Sequence, residues 1–281
     1  MSDTEPQIER TIVVTVDALL ADIVTDRLWQ LGVRAVSEVE LPDGTAEVST
    51  SVGNDDDAIA RALSALDPSW PAEVRDLDAS IVQVAAEFLS PTWYAPGKVC
   101  VPASLATDQV DADLVTVIDQ GSAFGLGDHP TTRTSMALLA RLLEAGDQPC
   151  DRLLDVGCGT GALAVLAAQL GVPTLRAIDI ADAAVTSTLR NAALNGVTGR
   201  IEVDTTPVAD ITGAWDVIMA NILAPVLISM ADDFRRLLRP GGSLIISGIL
   251  ADRHDHVIEA LAPLTPVDSL AHDGWASIEL R

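Results

Sequence analysis

Lysine is almost absent. Lys98 is the single one in 281 residues, and lysine plus arginine number 17 against 41 aspartates and glutamates, a net charge of −24. Such a charge repels nucleic acid and anionic membrane and attracts cationic partners, so the expected partner is a basic protein, with no direct nucleic-acid or membrane binding. Genome-wide residue bias or salt adaptation is an equally simple source of the acidity. Cysteine is scarce as well: Cys100, Cys150 and Cys158 are widely spaced, which argues against a disulfide framework and a zinc cage. No apolar run approaches 18 residues and no basic, apolar signal opens the chain, so the expectation is a soluble, cytoplasmic protein.

What the chain has is one organising stretch, Leu153-Leu154-Asp155-Val156-Gly157-Cys158-Gly159-Thr160-Gly161-Ala162-Leu163. An apolar run ends in an acid, three glycines follow at alternate positions, and a helical pattern begins. Alternate glycines let the backbone turn where a Cβ would clash and let a ligand approach closely. The helix N-terminus then presents unpaired N–H groups above the strand. By itself this is also an ordinary strand–helix turn. The continuation distinguishes the two: Leu175–Ile180 reads as the next strand, and its Asp179 lies 22 residues after Gly157, where a carboxylate can accept both hydroxyls of a ribose.

The first third reads as a separate unit. Strand-like runs at Thr11–Asp17, Ala35–Leu41, Thr45–Val52 and Glu73–Asp78 alternate with helical spacing at Ala18–Leu31 and Asp56–Leu66, and Pro42-Asp43-Gly44 is turn chemistry. The order β-α-β-β-α-β is ferredoxin-like. Residues 1–95 hold 18 acids and 5 basic residues and no nucleophile–base pair, which suits a docking module. The expected division is 1–78 for this domain, 79–120 for a linker helix (Ala79–Leu89) and connecting strands (Lys98–Val101, Leu114–Ile118), and 121–281 for the remainder.

In that remainder, Phe124-Gly125-Leu126-Gly127-Asp128-His129-Pro130 forms a loop in which Asp128 or His129 can cap a helix reaching about Leu143. Further along come a helix over Asp182–Leu194, strands over Arg200–Asp204 and Trp215–Ile222, and a helix over Pro225–Arg239 stopped by Pro240-Gly241-Gly242. A strand over Ser243–Leu250, a helix over Arg253–Leu264 and a hairpin around Asp273-Gly274 close the chain. Alternating strands and helices imply a parallel sheet covered on both faces, with ligands at the carboxyl ends of its strands. His254 and His256 fall on different helix faces, so no metal site is expected.

Asp155-Val156-Gly157-Cys158-Gly159-Thr160-Gly161, Asp179, Pro240-Gly241-Gly242 and the closing hairpin resemble a class I S-adenosylmethionine-dependent methyltransferase, with a Rossmann-like seven-stranded sheet. More narrowly, Phe124–Thr132, Ala220-Asn221-Ile222-Leu223-Ala224 and Ser247-Gly248-Ile249-Leu250 resemble the PrmA family, which methylates amino groups of a large-subunit ribosomal protein (number eleven). The resemblance implies Thr132 beside the methionine end of the cofactor, Gly157 beneath it, Asp179 on the ribose and Asn221 beside the methyl group. It also brings Phe124, Gly125, Gly127, Asp155, Gly159, Gly161 and Ile180 into the cofactor site, and Asp204, which ends the third strand, is expected near the adenine. Leu126 stands where the family usually has threonine, so one hydroxyl contact is missing, and the tryptophan-rich linker is reduced to Trp93-Tyr94 in a different setting.

The chemistry implied is methyl transfer to a lysine or N-terminal amine, with Asn221 aligning the nitrogen and no metal required. The plainer alternative is a strand-end asparagine that caps the next helix. Two other functions stay open: methylation of a small molecule or peptide on the same scaffold, and a binding module without turnover.

Overall fold

The computed structural model describes residues 8–29, 31, 33, 36–78, 90–105, 107, 110–119, 127–146 and 150–281. The expected linker helix at 79–89 lies outside them, as do Phe124, Gly125 and Leu126. The chain divides into two compact units, residues 1–89 and 90–281.

In the first unit, strands β1 (Ile8–Asp17), β2 (Val36–Glu40), β3 (Thr45–Thr50) and β4 (Ala72–Asp78) form one sheet in the order β2-β3-β1-β4. All its pairings are antiparallel. Helices α1 (Ala21–Trp29) and α2 (Asp56–Ala65) fill the two crossovers. Alternation along β1 sends Ile12, Val14 and Val16 to one face, where they pack with Val24, Leu28, Ile59 and Ala62. The β2–β3 turn is held by Asp43, whose carboxylate accepts from the backbone N–H and hydroxyl of Thr45. Asp55 caps α2, accepting from Ala58 N at 2.8 Å. These elements make the ferredoxin-like arrangement.

The second unit holds a seven-stranded sheet. Its members are β8 (Arg152–Val156), β9 (Thr174–Ile178), β10 (Ile201–Asp204), β11 (Trp215–Asn221), β12 (Leu238–Leu250), β13 (Pro266–His272) and β14 (Trp275–Leu280), in the order β10-β9-β8-β11-β12-β14-β13. The first five run parallel and the closing hairpin antiparallel. The order of the strands reverses between β8 and β11, the crevice where such folds bind ligands. Central strands buried on both faces read as continuous apolar runs, as Val217–Ala220 and Leu244–Ile246 do.

Helices α3 (Pro130–Ala145), α4 (Ala162–Gln169) and α5 (Asp182–Leu194) cover one face. Helices α6 (Ala224–Ser229), α7 (Ala231–Leu237) and α8 (Asp255–Ala260) cover the other, packing Leu227, Phe234, Leu237 and Val257 on Leu154, Ile218 and Ile246. His129 rather than Asp128 caps α3. The helix expected over Pro225–Arg239 bends at Met230, although Met230 N still reaches Val226 O and Phe234 N reaches Met230 O. It ends at Leu237, and β12 starts before the Pro240-Gly241-Gly242 turn instead of after it. The last helix is shorter than Arg253–Leu264, because Pro263 lacks an N–H and disfavours helix in the residue before it.

A second sheet, β5 (Thr92–Ala95), β6 (Lys98–Pro102) and β7 (Leu114–Ile118), belongs to this unit. Gln169 at the end of α4 fastens β7, donating to Val115 O and accepting from the Thr116 hydroxyl. The strands expected to connect the domains are thus packed onto the second one.

Candidate active site

The organising loop leaves β8 and enters α4 through Gly157, Gly159 and Gly161, all at positive φ. Gly157 is required on two grounds: its φ is +73°, and a Cβ there would lie 2.3 Å from Ile222 Cγ2. The loop thereby abuts the end of β11. The N–H groups of Gly157 and Cys158 both donate to Ile178 O, tying it to the end of β9. Thr188 of α5 supports it from the side, its hydroxyl donating to Gly159 O at 3.2 Å.

Asp179 closes β9, and its carboxylate is fixed by two main-chain donors. Gly159 N donates to Oδ2 and Ala181 N to Oδ1, each at 3.0 Å. A carboxylate oxygen accepts more than one bond, so this half-buried group retains capacity for two further donors. Ile180, next in sequence, is 78 % exposed.

Asp155 lies beneath the loop and is fully buried. Among the described residues neither of its oxygens makes a hydrogen bond of ordinary geometry, and the nearby Ala164 N–H acts to lower its pKa. Burial, opposed by that N–H and reinforced by the nearby Asp179, pushes its pKa up to about 7. Asp204, at the end of β10, is differently placed. It accepts from Arg176 Nη2 at 2.8 Å and from Thr206 N at 2.7 Å.

On the other side of the switch point, Asn221 ends β11 and donates through Nδ2 to Thr132 Oγ1 at 3.5 Å. Thr132 is buried in the first turn of α3. Beneath it runs a chain of buried hydroxyls: Ser277 Oγ donates to Ser247 Oγ at 2.7 Å and lies 2.6 Å from Thr134 Oγ1, while Ser247 also reaches Ala276 O. Ser247 pairs with Asn221 across the sheet. Next to it Gly248 makes a bulge at φ +80°, where a Cβ would meet Ile222 O at 2.5 Å. That motif brings β12 against the end of β11.

His129 is held as a cap. Nδ1 accepts from Thr131 N and lies 2.7 Å from the Thr131 hydroxyl, and the ring stands edge-on to Trp275 with centroids 5.5 Å apart. Burial lowers its pKa against the pull of Asp128. Gly127 packs on Cys100, with no room for a Cβ.

The structure therefore gathers Asp155, Gly157, Gly159, Gly161, Asp179 and Ile180 around the ends of β8 and β9, and Asn221 with Thr132 at β11 and α3. Sequence reasoning missed Thr188, Asn191 and Ser277 as site supports and named Ser247 only within a motif; polar residues in a helix or strand pattern read as solvated positions. A groove of about 300 Å³ lined by Ala251, His254, Ile258 and Ser269 contains none of the site residues. Among the described residues, no group of three His, Cys, Asp or Glu is placed to hold a metal ion, and no helix is long and apolar enough to cross a membrane.

The family profile described as Ribosomal protein L11 methyltransferase (PrmA) matches residues 82–281. The chain belongs to this family. The Methylococcus capsulatus protein named ribosomal protein L11 methyltransferase is 36% identical over 274 residues, covering 89% of this chain and 90% of that one. The Geobacter metallireducens protein of the same name is 44% identical over 168 residues, or 59% of this chain. The chain spans little more than half the length of several such relatives, 54% for Geobacter metallireducens and 57% for Citrifermentans bemidjiense. The solved ribosomal protein L11 methylase of Lactobacillus delbrueckii subsp. bulgaricus matches with a TM-score of 0.61 at 30% identity, covering 68% of this chain and 97% of that chain. PrmA membership and the Rossmann-like fold agree with what the motifs imply.

Proposed function

We propose that this protein transfers methyl groups from S-adenosylmethionine to amino groups of a protein, on lysine side chains and/or the N-terminus. The proposed acceptor is a basic large-subunit ribosomal protein, the substrate named for its relatives, and the proposed compartment is the cytoplasm. The observation that carries the reading is the placement of Asn221 and Thr132 across the sheet switch point from Asp179 and the glycine loop.

Three features fit that cofactor. Asp179 has two oxygens pinned by main-chain donors and capacity for a diol. Gly157 lets the loop pack directly on Ile222 at the end of β11, bringing the two sides of the crevice together. Asp155 places an unpartnered buried acid beneath the loop, where a cationic ligand favours its ionised form. Thr132, Asp179, Ile180 and the glycine loop would hold the group, with Asp155 as its electrostatic floor. The reading assigns no metal.

When bound, S-adenosylmethionine supplies an electrophilic methyl carbon on a sulfonium, so the protein has to align a neutral nitrogen rather than activate the carbon. Because Nδ2 of Asn221 donates to Thr132, Oδ1 is the atom left to accept an N–H from the acceptor amine. That bond turns the nitrogen lone pair toward the methyl. Ile222, Leu223 and Ala224 line the same mouth half-buried, and their desolvating effect favours the uncharged amine. His129 is occupied as a cap, so the amine proton leaves to water.

The test is incubation with methyl-labelled S-adenosylmethionine and lysate from a strain lacking the gene. Label in methylated amines of one small basic protein supports the reading. Label confined to small molecules moves the acceptor to the other methyltransferase class, and no label at all favours a binding module.

A further inference from the structure

Two side chains near the end of α5 imitate a β-strand. Asn195 accepts from Val117 N at 2.8 Å and donates to Val117 O at 2.6 Å. One helical turn earlier, Asn191 accepts from Asp119 N at 2.8 Å and donates to Asp119 O at 2.9 Å. Together they pair β7 and its exit along one edge, as a neighbouring strand would. There the likeness ends. The second Nδ2 proton of Asn191 goes to Thr160 O at 2.8 Å, inside the glycine loop.

Asn191 is fully buried, and Oδ1 and both amide protons are all committed. Its two carbonyl partners lie in segments with different destinations. Thr160 belongs to the turn between β8 and α4. Asp119 directly follows β7 in the three-stranded sheet. The salt bridge from Arg190 to Asp119 also joins α5 to this point, but its arginine is 63% exposed, and exposed pairs contribute little. A buried amide that makes three hydrogen bonds to two separate segments is a far stiffer connection.

We propose that Asn191 is a positioning residue that ties the glycine loop at Thr160 to the exit of β7 at Asp119, holding the loop in place at the cofactor site. The inference rests on the reading of this site as the S-adenosylmethionine site. Asn191 touches neither cofactor nor acceptor; it acts through Thr160 and Asp119. Asn195 makes the same attachment to β7 without reaching the loop, which gives the internal control.

The experiment compares Asn191→Ala and Asn191→Asp with Asn195→Ala in the full chain. Asn191→Asp keeps the shape and the acceptor for Asp119 N but loses both donors. Calorimetric titration with S-adenosylhomocysteine should show about tenfold or weaker binding for both Asn191 variants, with Asn195→Ala within about twofold of wild type at comparable loss of thermal stability. KM for S-adenosylmethionine should rise in the Asn191 variants, with KM for the acceptor unchanged. Amide hydrogen exchange without ligand should quicken at Gly159–Ala162 in the Asn191 variants and not in Asn195→Ala. Equal effects of Asn191→Asp and Asn195→Ala on affinity and on loop exchange would overturn the coupling. Failure of the wild type to bind S-adenosylhomocysteine would instead refute the functional reading, and the exchange comparison would still decide the coupling.

Discussion

Asn221 and Thr132 stand 89 positions apart in the chain, yet the amide of one donates to the hydroxyl of the other at 3.5 Å. The bond is long, as catalytic contacts often are before a ligand tightens them. In the proposed reaction it decides which end of the amide faces the acceptor. Asn221→Ala should lower kcat by about 10- to 100-fold, the range expected for losing one or two hydrogen bonds to a reacting group. Thr132→Val should lower kcat less, and Thr132→Ser should restore it. The double variant Asn221→Ala/Thr132→Val should be little worse than Asn221→Ala alone, because the two act as a unit. Strictly additive losses in steady-state assays would mean that the residues work independently.

The buried carboxyl of Asp155 makes stability depend on pH. Burial raises its folded pKa from an ordinary 3.8 to about 7, so across that interval the folded state binds a proton that the unfolded state has released. Stability therefore falls as pH rises from about 4 to 7, by about 1.4 kcal/mol per unit of separation at most. Asp155→Asn removes that dependence. Melting temperatures measured from pH 4 to 8 should show a gap in favour of the variant that widens up to about pH 7 and then levels. A gap that stays constant would show that the carboxyl is ionised throughout.

Much of this was legible because it is local. The Asp155–Gly161 turn, the acid at 179 and the Asp273-Gly274 hairpin each follow from a few adjacent residues whose backbone demands leave few alternatives. The break at Met230 and the early end of the last helix are boundary effects that periodicity resolves poorly. Asn191 and Ser277 were not legible at all, and Ser247 was legible only as part of a motif, without its partners. The meaning of each comes from partners 30 to 72 positions away in the chain. The pairing of β5–β7 onto the second unit was hidden for the same reason, since Gln169, Asn191 and Asn195 supply the contacts.

The acidity of the first third makes a separable prediction. If residues 1–95 steer a basic acceptor, raising ionic strength from about 0.01 M to 0.15 M shortens the screening length from roughly 30 Å to 8 Å and should lower kcat/KM for that acceptor. Affinity for S-adenosylhomocysteine should change much less over the same series. Salt adaptation predicts the reverse, with activity and stability rising as self-repulsion is screened, so a flat or rising kcat/KM would remove steering from the account.

The central claim is that the crevice bounded by the glycine loop, Asp179 and Asn221 binds S-adenosylmethionine. Calorimetric titration of wild type and Asp179→Ala with S-adenosylhomocysteine tests it most directly. Charge-assisted hydrogen bonds of roughly 1.5–3 kcal/mol each are lost in the variant. The account predicts one site in the wild type and at least about tenfold weaker binding in Asp179→Ala, with both proteins folded by circular dichroism. Equal affinity in the two folded proteins, or no binding by the wild type, would contradict it.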